Sequence, residues 1–109
     1  MVLQLSMFKS GLSGEEVRRT MEERAPQYRV VPGLVQKLYV ENQETGEFGA
    51  VYVWSDDAAL RDFWQSELAR TIPEAYRAEG QPRREILDVV HVLHEGAGPT
   101  SVLSPRHGS

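Results

Sequence analysis

The stretch that decides the fold runs from residue 32 to residue 54 and reads PGLVQKLYVENQETGEFGAVYVW. β-Branched and aromatic residues mark two strands in it, Leu34 to Glu41 and Glu47 to Trp54. Between them, residues 42–46 form a short polar connection whose last residue, a glycine, can adopt the positive φ that a tight hairpin needs. The pattern predicts an antiparallel hairpin in the middle of a sheet.

The segment before the hairpin predicts one strand and one helix. Val2 to Phe8 alternates side chains in the way that is typical of a half-buried strand. Ser13 and Glu16 have the spacing of a capping box, which predicts a helix that begins there. Pro26 is expected to end or kink this helix, because proline cannot donate the backbone hydrogen bond that a helix interior requires.

The segment after the hairpin predicts helical structure and then a last strand. Residues 55–57, Ser-Asp-Asp, are typical of a helix start. A second capping-box spacing at residues 71–74 predicts another short helix, which residues 80–82, Gly-Gln-Pro, would end. Residues 85–95 are apolar on both faces, which predicts a strand that is buried on both sides.

The resulting order, β-α-β-β-α-β, predicts an α+β fold of the ferredoxin-like type, with a four-stranded antiparallel sheet and helices on one face. We expect a single domain over residues 1–95 and a C-terminal tail over residues 96–109 that is flexible or reaches a partner subunit. The second face of the sheet is predicted to carry the aromatic side chains, which are too apolar to remain in water. Two copies packed sheet to sheet would bury that face, which predicts a homodimer.

Composition restricts the class of partner. The net charge of −4 argues against nucleic acid, which favours a basic surface. No apolar run approaches the length of about 20 residues that a membrane helix needs, and residues 1–11 do not resemble a signal peptide. The chain contains no cysteine, which fits a reducing compartment, so we expect a cytoplasmic protein without membrane contact.

The hairpin and its surroundings resemble the dimeric α/β-barrel superfamily, and in particular its YdhR-type monooxygenases, which are similar to antibiotic biosynthesis monooxygenases. The resemblance covers about residues 1 to 95. It is carried by Pro32-Gly33 before the second strand, a loop with Glu44 and Gly46, a Gly-small-apolar-Tyr strand at residues 49–52 and a helix opened by aspartate. It implies a homodimer with a pocket in each protomer and cofactor-free oxidation of a small molecule. Relatives in the superfamily also include haem-degrading enzymes, polyketide cyclases and lactone isomerases.

Four aromatic residues are candidates for substrate binding: Tyr39, Tyr52, Trp54 and Trp64. They are expected to line a pocket between the sheet and the second helix that takes a small, flat aromatic ligand. The alternative is that they serve only core and dimer packing. Lys37 joins the candidate set because it is a polar residue on a strand that otherwise buries apolar side chains.

His91 and Asp88 are the candidates for a general base, and His91 is preferred because an ordinary imidazole has a pKa near neutral pH. No metal and no other cofactor is expected: in a strand, His91 and His94 would point to opposite faces. The function predicted from the resemblance is a cofactor-independent monooxygenase that acts on an aromatic or polyketide-like molecule. A cyclase or isomerase using the same pocket, and a non-catalytic ligand-binding or stress-response dimer, are the alternatives.

Overall fold

The computed structural model describes residues 1–94, which form four strands and four helices. The predicted tail over residues 96–109 lies outside the described residues. In chain order the elements are β1 (Val2–Ser10), α1 (Gly14–Tyr28), β2 (Leu34–Glu41), β3 (Phe48–Trp54), α2 (Asp57–Trp64), α3 (Glu67–Arg70), α4 (Ile72–Ala75) and β4 (Ala78–Asp88).

The strands form one antiparallel sheet in the order β2-β3-β1-β4. This is the ferredoxin-like arrangement, so the predicted α+β fold class is confirmed. β1 and β3 are the two inner strands, and they pair without interruption from Val2 opposite Trp54 to Phe8 opposite Phe48. Every other strand and helix is placed relative to this central pair.

The predicted hairpin joins β2 and β3, but it lies at one edge of the sheet and not in its middle, because β2 is an edge strand. The Gly46 amide donates to the Asn42 carbonyl oxygen at 2.8 Å, and Gly46 has a φ of 77°. The Asn42 side chain closes the loop further, because its Oδ1 accepts from the amides of Glu44 and Thr45 at 3.0 and 3.3 Å. Asparagine and glycine therefore set this turn by local chemistry, as the sequence indicated.

The predicted capping box begins α1. The Ser13 hydroxyl accepts from the Glu16 amide at 3.2 Å, and the Glu16 carboxylate accepts from the Ser13 amide at 2.9 Å. Of the two effects predicted for Pro26, the end of the helix is excluded, because α1 continues through Pro26 to Tyr28. Tyr28 is only 5% exposed, and the packing of its side chain against the core holds the last turn in place.

The boundaries of the last strand differ from the prediction. β4 runs from Ala78 to Asp88 and not over residues 85–95, and Ile86 and Leu87 are both more than half exposed. Residues 80–82 do not stop the strand because β4 lies at the sheet edge, where a proline removes no hydrogen bond that a neighbour needs. Gly80, with a φ of 68°, lies where the pairing with β1 is irregular.

The predicted assignment of the two sheet faces is also wrong. Cross-strand partners share a face, and the face that packs against the helices is the one with the large rings: Phe8, Tyr39, Phe48, Tyr52 and Trp54. Lys37 lies on the same face, opposite Tyr52. Alternation shows which residues share a face but not which face the helices cover, and both faces of this sheet are apolar.

The opposite face of the sheet is mainly aliphatic. It carries the side chains of Leu3, Leu5, Leu38, Val40, Val51 and Val53, with Leu87 on the edge strand. Leu3, Leu5, Leu38, Val40 and Val51 remain half-buried, and Leu87 is 53% exposed. The two hydrophobic core clusters of the described chain lie on the aromatic face.

Gly33 and Gly46 offer a matched test of how the hairpin is attached to α2. Both have a φ of 77°, but a Cβ at Gly46 would meet nothing within 4 Å, whereas at Gly33 it would collide with the Ala59 methyl group. We expect Gly46→Ala to cost about 1 kcal/mol of unfolding free energy from backbone strain alone. Gly33→Ala should cost about 1–3 kcal/mol more, because the loop must move away from α2.

Urea denaturation of the two variants measures both costs. Equal destabilisation would show that the loop before β2 is not held tightly against Ala59.

Candidate active site

A cavity of about 290 Å³ lies between the aromatic face of the sheet and the helices. All four tyrosines of the chain line it, one each from α1, β2, β3 and the residue after α4. An engineered apolar cavity of about 150 Å³ is large enough for benzene, so this volume suits a flat molecule of up to about three fused rings. Its principal wall residues are Tyr28, Lys37, Tyr39, Tyr52, Trp64, Tyr76 and Arg84.

Lys37 lies inside a cage of three tyrosine rings. Its Nζ is 3.1 Å from the ring centroid of Tyr28, 4.5 Å from that of Tyr39 and 4.8 Å from that of Tyr52. No carboxylate among residues 1–94 forms an ion pair with it. A buried amine without an anionic partner is rare, because removing a charge from water is costly unless a counter-charge compensates.

The surroundings make Lys37 a far weaker base than an ordinary lysine. Burial, aided by the nearby Arg24 guanidinium, lowers the pKa of Lys37 to about 6. The ring faces act in the opposite direction, since each cation–π contact favours the ammonium by about 0.5–2 kcal/mol. Burial prevails because it costs an unpaired ion several kcal/mol. The Lys37 amine is therefore mostly neutral at pH 7.

The tyrosine hydroxyls of the cavity stay protonated at neutral pH. Burial raises the pKa of Tyr39 to about 12 and that of Tyr52 well above its ordinary value, and it also raises the pKa values of Tyr28 and Tyr76. The Tyr39 hydroxyl oxygen is buried and has no hydrogen-bond partner among the described residues. A buried donor without a partner is costly, so Tyr39 offers a hydroxyl that a ligand oxygen would satisfy.

The two tryptophans are held by one buried amide. Gln4 is 1% exposed, and its Oε1 accepts from the indole N–H of Trp64 at 2.8 Å and from that of Trp54 at 3.3 Å. Both indole donors are thus occupied, which leaves Trp64 to present a ring to the cavity and no hydrogen bond. The guanidinium carbon of Arg84 lies 4.4 Å from the centre of that ring.

The cavity wall has a one-sided charge distribution. Lys37, Arg70 and Arg84 line it, whereas none of the described residues that line it is an aspartate, a glutamate or a histidine. Arg70 also pairs with Glu67 on the surface of α3. A wall with basic groups and hydroxyl donors favours a ligand with acceptor oxygens or negative charge, even though the chain as a whole carries a net charge of −4.

The structure places four of the seven residues proposed from sequence on this wall: Lys37, Tyr39, Tyr52 and Trp64. Trp54 is fully buried in the adjoining core and does not line the cavity. Asp88 ends β4 and His91 follows it; both side chains are exposed and neither lines the cavity.

Three of the principal wall residues, Tyr28, Tyr76 and Arg84, were not proposed from sequence. Tyr28 shares the helical spacing of the buried α1 residues Val17 and Met21, which indicates burial but not a cavity. Tyr76 follows the short helix α4, and its position depends on how that helix packs.

Within residues 1–94 no three histidine, aspartate or glutamate side chains come together in a way that could hold a metal ion. In the same part of the chain, no helix is long and apolar enough to cross a membrane.

The chain is a small ferredoxin-like domain with an aromatic cavity between its sheet and its helices. More particularly, the family model described as "Putative mono-oxygenase ydhR" matches residues 2–77, and the chain belongs to this family. The predicted family resemblance is thereby confirmed. No curated protein matches the sequence.

Solved structures with the same fold come from several bacteria. SnoaB, a cofactor-independent oxygenase from Streptomyces nogalater, is 17% identical with a TM-score of 0.69, over 86% of this chain and 97% of that one. A protein from Deinococcus radiodurans described as a "putative antibiotic biosynthesis monooxygenase" is 15% identical with a TM-score of 0.68, again over 86% and 97%. Rv0793 from Mycobacterium tuberculosis is 12% identical with a TM-score of 0.67, over 85% and 98%. At these identities the likeness shows the fold.

The lowered pKa of Lys37 predicts a pH-dependent stability. Between pH 6 and about pH 10 the unfolded chain binds a proton that the folded chain does not, so the stability of the wild type rises with pH in this window. Below pH 6 the full free-energy penalty of burying the Lys37 ammonium applies. We expect Lys37→Met to raise the unfolding free energy by about 1–3 kcal/mol at pH 6, with the gain shrinking toward pH 9.

Urea denaturation at both pH values measures this gain. Lys9→Met, which replaces the exposed lysine of β1, is the control and should stay within about 0.5 kcal/mol of wild type. A gain for Lys37→Met that is no larger at pH 6 than at pH 9 would contradict the burial of an uncompensated amine.

Proposed function

We propose that the protein is a cytoplasmic, cofactor-independent monooxygenase that oxidises an electron-rich phenolic or polyketide-like molecule with O₂. The observation that carries the proposal is the Lys37 amine, which has no carboxylate partner among the described residues and lies in a cavity walled by aromatic rings. Membership of a family described as mono-oxygenases supports it. The fold shared with SnoaB, described as a cofactor-independent oxygenase, adds to that support.

The reaction requires a general base, a hydrogen-bond donor that stabilises the developing anion, and a site from which water is excluded. For an anthrone-type substrate, the base removes a proton from the ring CH₂ and the resulting carbanion transfers one electron to O₂. The radical pair combines to a peroxide, which takes up a proton and loses water to leave a carbonyl. Overall CH₂ and O₂ give C=O and H₂O. The protein need only bind, orient and stabilise charge.

Lys37 is the group we assign as the base, because its pKa of about 6 leaves it able to accept a proton at neutral pH. The unpartnered Tyr39 hydroxyl is suited to donate to the oxyanion that forms on the same ring. Tyr52 and Trp64 provide the flat walls between which an aromatic substrate lies. His91 and Asp88 remain the competing assignments for the base.

A cyclase or isomerase acting in the same cavity is the second candidate. The same base and the same donor suffice for proton removal and return at carbon, and neither step requires O₂. The consumption of O₂ therefore distinguishes the two enzyme functions. Binding of a ligand without turnover would instead support the third alternative, a non-catalytic ligand-binding dimer.

An oxygen-electrode assay with anthrone and hydroquinone substrates on metal-free, flavin-free protein tests the function. We expect O₂ uptake to rise as pH increases through about 6, with losses of about 10²-fold in Lys37→Met and about tenfold in Tyr39→Phe. Loss of activity in His91→Ala or Asp88→Ala, with Lys37→Met unaffected, would transfer the role of base to those residues. Absence of O₂ uptake in the wild type would exclude the oxygenase.

We also propose that the working unit is a homodimer formed through the aliphatic face of the sheet. That face presents a set of half-buried Leu and Val side chains, and Leu87 on its edge strand is 53% exposed. Val90 and Leu93, which follow β4, are also strongly exposed. Monomeric proteins rarely leave so large an apolar surface in water. Two flat aliphatic faces are self-complementary, as a two-fold interface requires.

Sedimentation velocity tests the assembly. The wild type should sediment as a dimer at micromolar concentration, since an obligate interface buries on the order of 2,000 Å² or more. Val51→Lys places a charge at the middle of the aliphatic face and should give monomers or insoluble protein. Gln43→Lys, in the exposed hairpin loop, adds the same charge and should remain dimeric. A folded wild-type monomer would contradict the proposal.

A further inference from the structure

We propose that the Lys37 amine is also a nucleophile, which forms an imine with the carbonyl carbon of an aromatic aldehyde or ketone bound in the cavity. Three observations meet at this residue: its Nζ lies among the rings of Tyr28, Tyr39 and Tyr52, it lines the cavity, and no described carboxylate neutralises it. This activity goes beyond the proposed oxygenase function, because it needs no O₂.

Imine formation requires an amine with a free lone pair. An ordinary exposed lysine is almost wholly protonated at pH 7 and reacts slowly with carbonyl compounds. Lys37 differs because burial lowers its pKa to about 6, which leaves about nine-tenths of it neutral at pH 7. Desolvation in an apolar pocket is a known way to activate a lysine for Schiff-base chemistry.

The step is balanced within the site. The Nζ lone pair attacks the carbonyl carbon, and the electron pair of the C=O double bond moves to oxygen, which takes up a proton to give a carbinolamine. The nitrogen then loses a proton, the hydroxyl leaves as water, and a C=N bond forms. The net change is one amine and one carbonyl converted to one imine and one water, with no oxidant or reductant.

The Tyr39 hydroxyl is the group that assists this step. It is buried without a partner among the described residues, and its ring lies 4.5 Å from the Lys37 Nζ. Its raised pKa keeps it protonated, so it can donate a hydrogen bond to the carbonyl oxygen during attack and to the hydroxyl as it leaves. The aromatic walls meanwhile hold the ring of the aldehyde or ketone.

The imine gives the cavity a second kind of reactivity. A protonated imine withdraws electrons from the neighbouring carbon, so it promotes the loss of a proton or of a carboxylate at that carbon. β-Keto acids and hydroxyaryl ketones, which carry the acceptor oxygens that this basic wall favours, are the substrate class. Aldol-type condensation and decarboxylation are the corresponding reaction types.

The composition of the chain makes it easy to identify which amine reacts. The 109 residues contain only two lysines, Lys9 and Lys37, and Lys9 is exposed. We would incubate the full chain with 3-hydroxybenzaldehyde and sodium cyanoborohydride under argon at pH 7, which reduces any imine to a stable secondary amine. Peptide mapping by mass spectrometry then locates the adduct on Lys37, Lys9 or the N-terminal amine.

We expect the adduct at Lys37 to form at least about tenfold faster than at Lys9 or the N-terminus. Tyr39→Phe should slow it about fivefold or more, and 3-methylphenol, which fits the cavity without a carbonyl, should compete with the aldehyde. Lys9→Arg should leave labelling of Lys37 unchanged.

Labelling of Lys37 no faster than of Lys9, or labelling that 3-methylphenol does not slow, would overturn the proposal. The result is read on the wild type, so it does not depend on whether Lys37→Met folds. Because argon excludes O₂, a failed oxygenase assay with successful trapping, or the reverse, separates this proposal from the proposed function.

Discussion

The structure depends on the uninterrupted pairing of β1 with β3. Seven consecutive residue pairs, from Val2 opposite Trp54 to Phe8 opposite Phe48, sort the side chains of both strands onto two faces. At Gly49 a Cβ would collide with the Ser6 carbonyl oxygen, so only glycine permits this register. A shift of one residue would exchange the aromatic and aliphatic faces and remove both the core and the cavity.

The register of the strands also explains how polar side chains can be buried in a small core. It brings Gln4 within hydrogen-bond distance of two indole groups, so that one side-chain oxygen satisfies both N–H donors. The pairing of β2 with β3 places Tyr52 beside Lys37, so that aromatic rings and not carboxylates surround the amine. Burying Lys37 lowers the stability of the fold, and favourable interactions elsewhere in the chain offset this loss. Such local losses of stability are typical of functional sites.

Sequence reasoning succeeded where the determinants are local. The hairpin loop with Gly46 and the capping box at Ser13 are set by residues within a few positions of each other. It failed where the answer depends on distant partners. Residues 80–82, Gly-Gln-Pro, are typical of a break in regular structure, and only the edge position of β4 explains why the strand continues through them. Periodicity also does not show which sheet face the helices cover. Lys37 was singled out as a polar residue on an apolar strand, but its three ring partners come from three separate elements.

The concentration of tyrosines around one cavity has an optical consequence. The chain has four tyrosines and two tryptophans; five of these six line the cavity, and the sixth, Trp54, stacks on Tyr52 at a centroid distance of 5.8 Å. The near-ultraviolet absorption and the intrinsic fluorescence of the protein therefore arise almost entirely from the cavity and its immediate support. The cavity thus contains its own chromophores, and these report on any molecule that enters it without an added label.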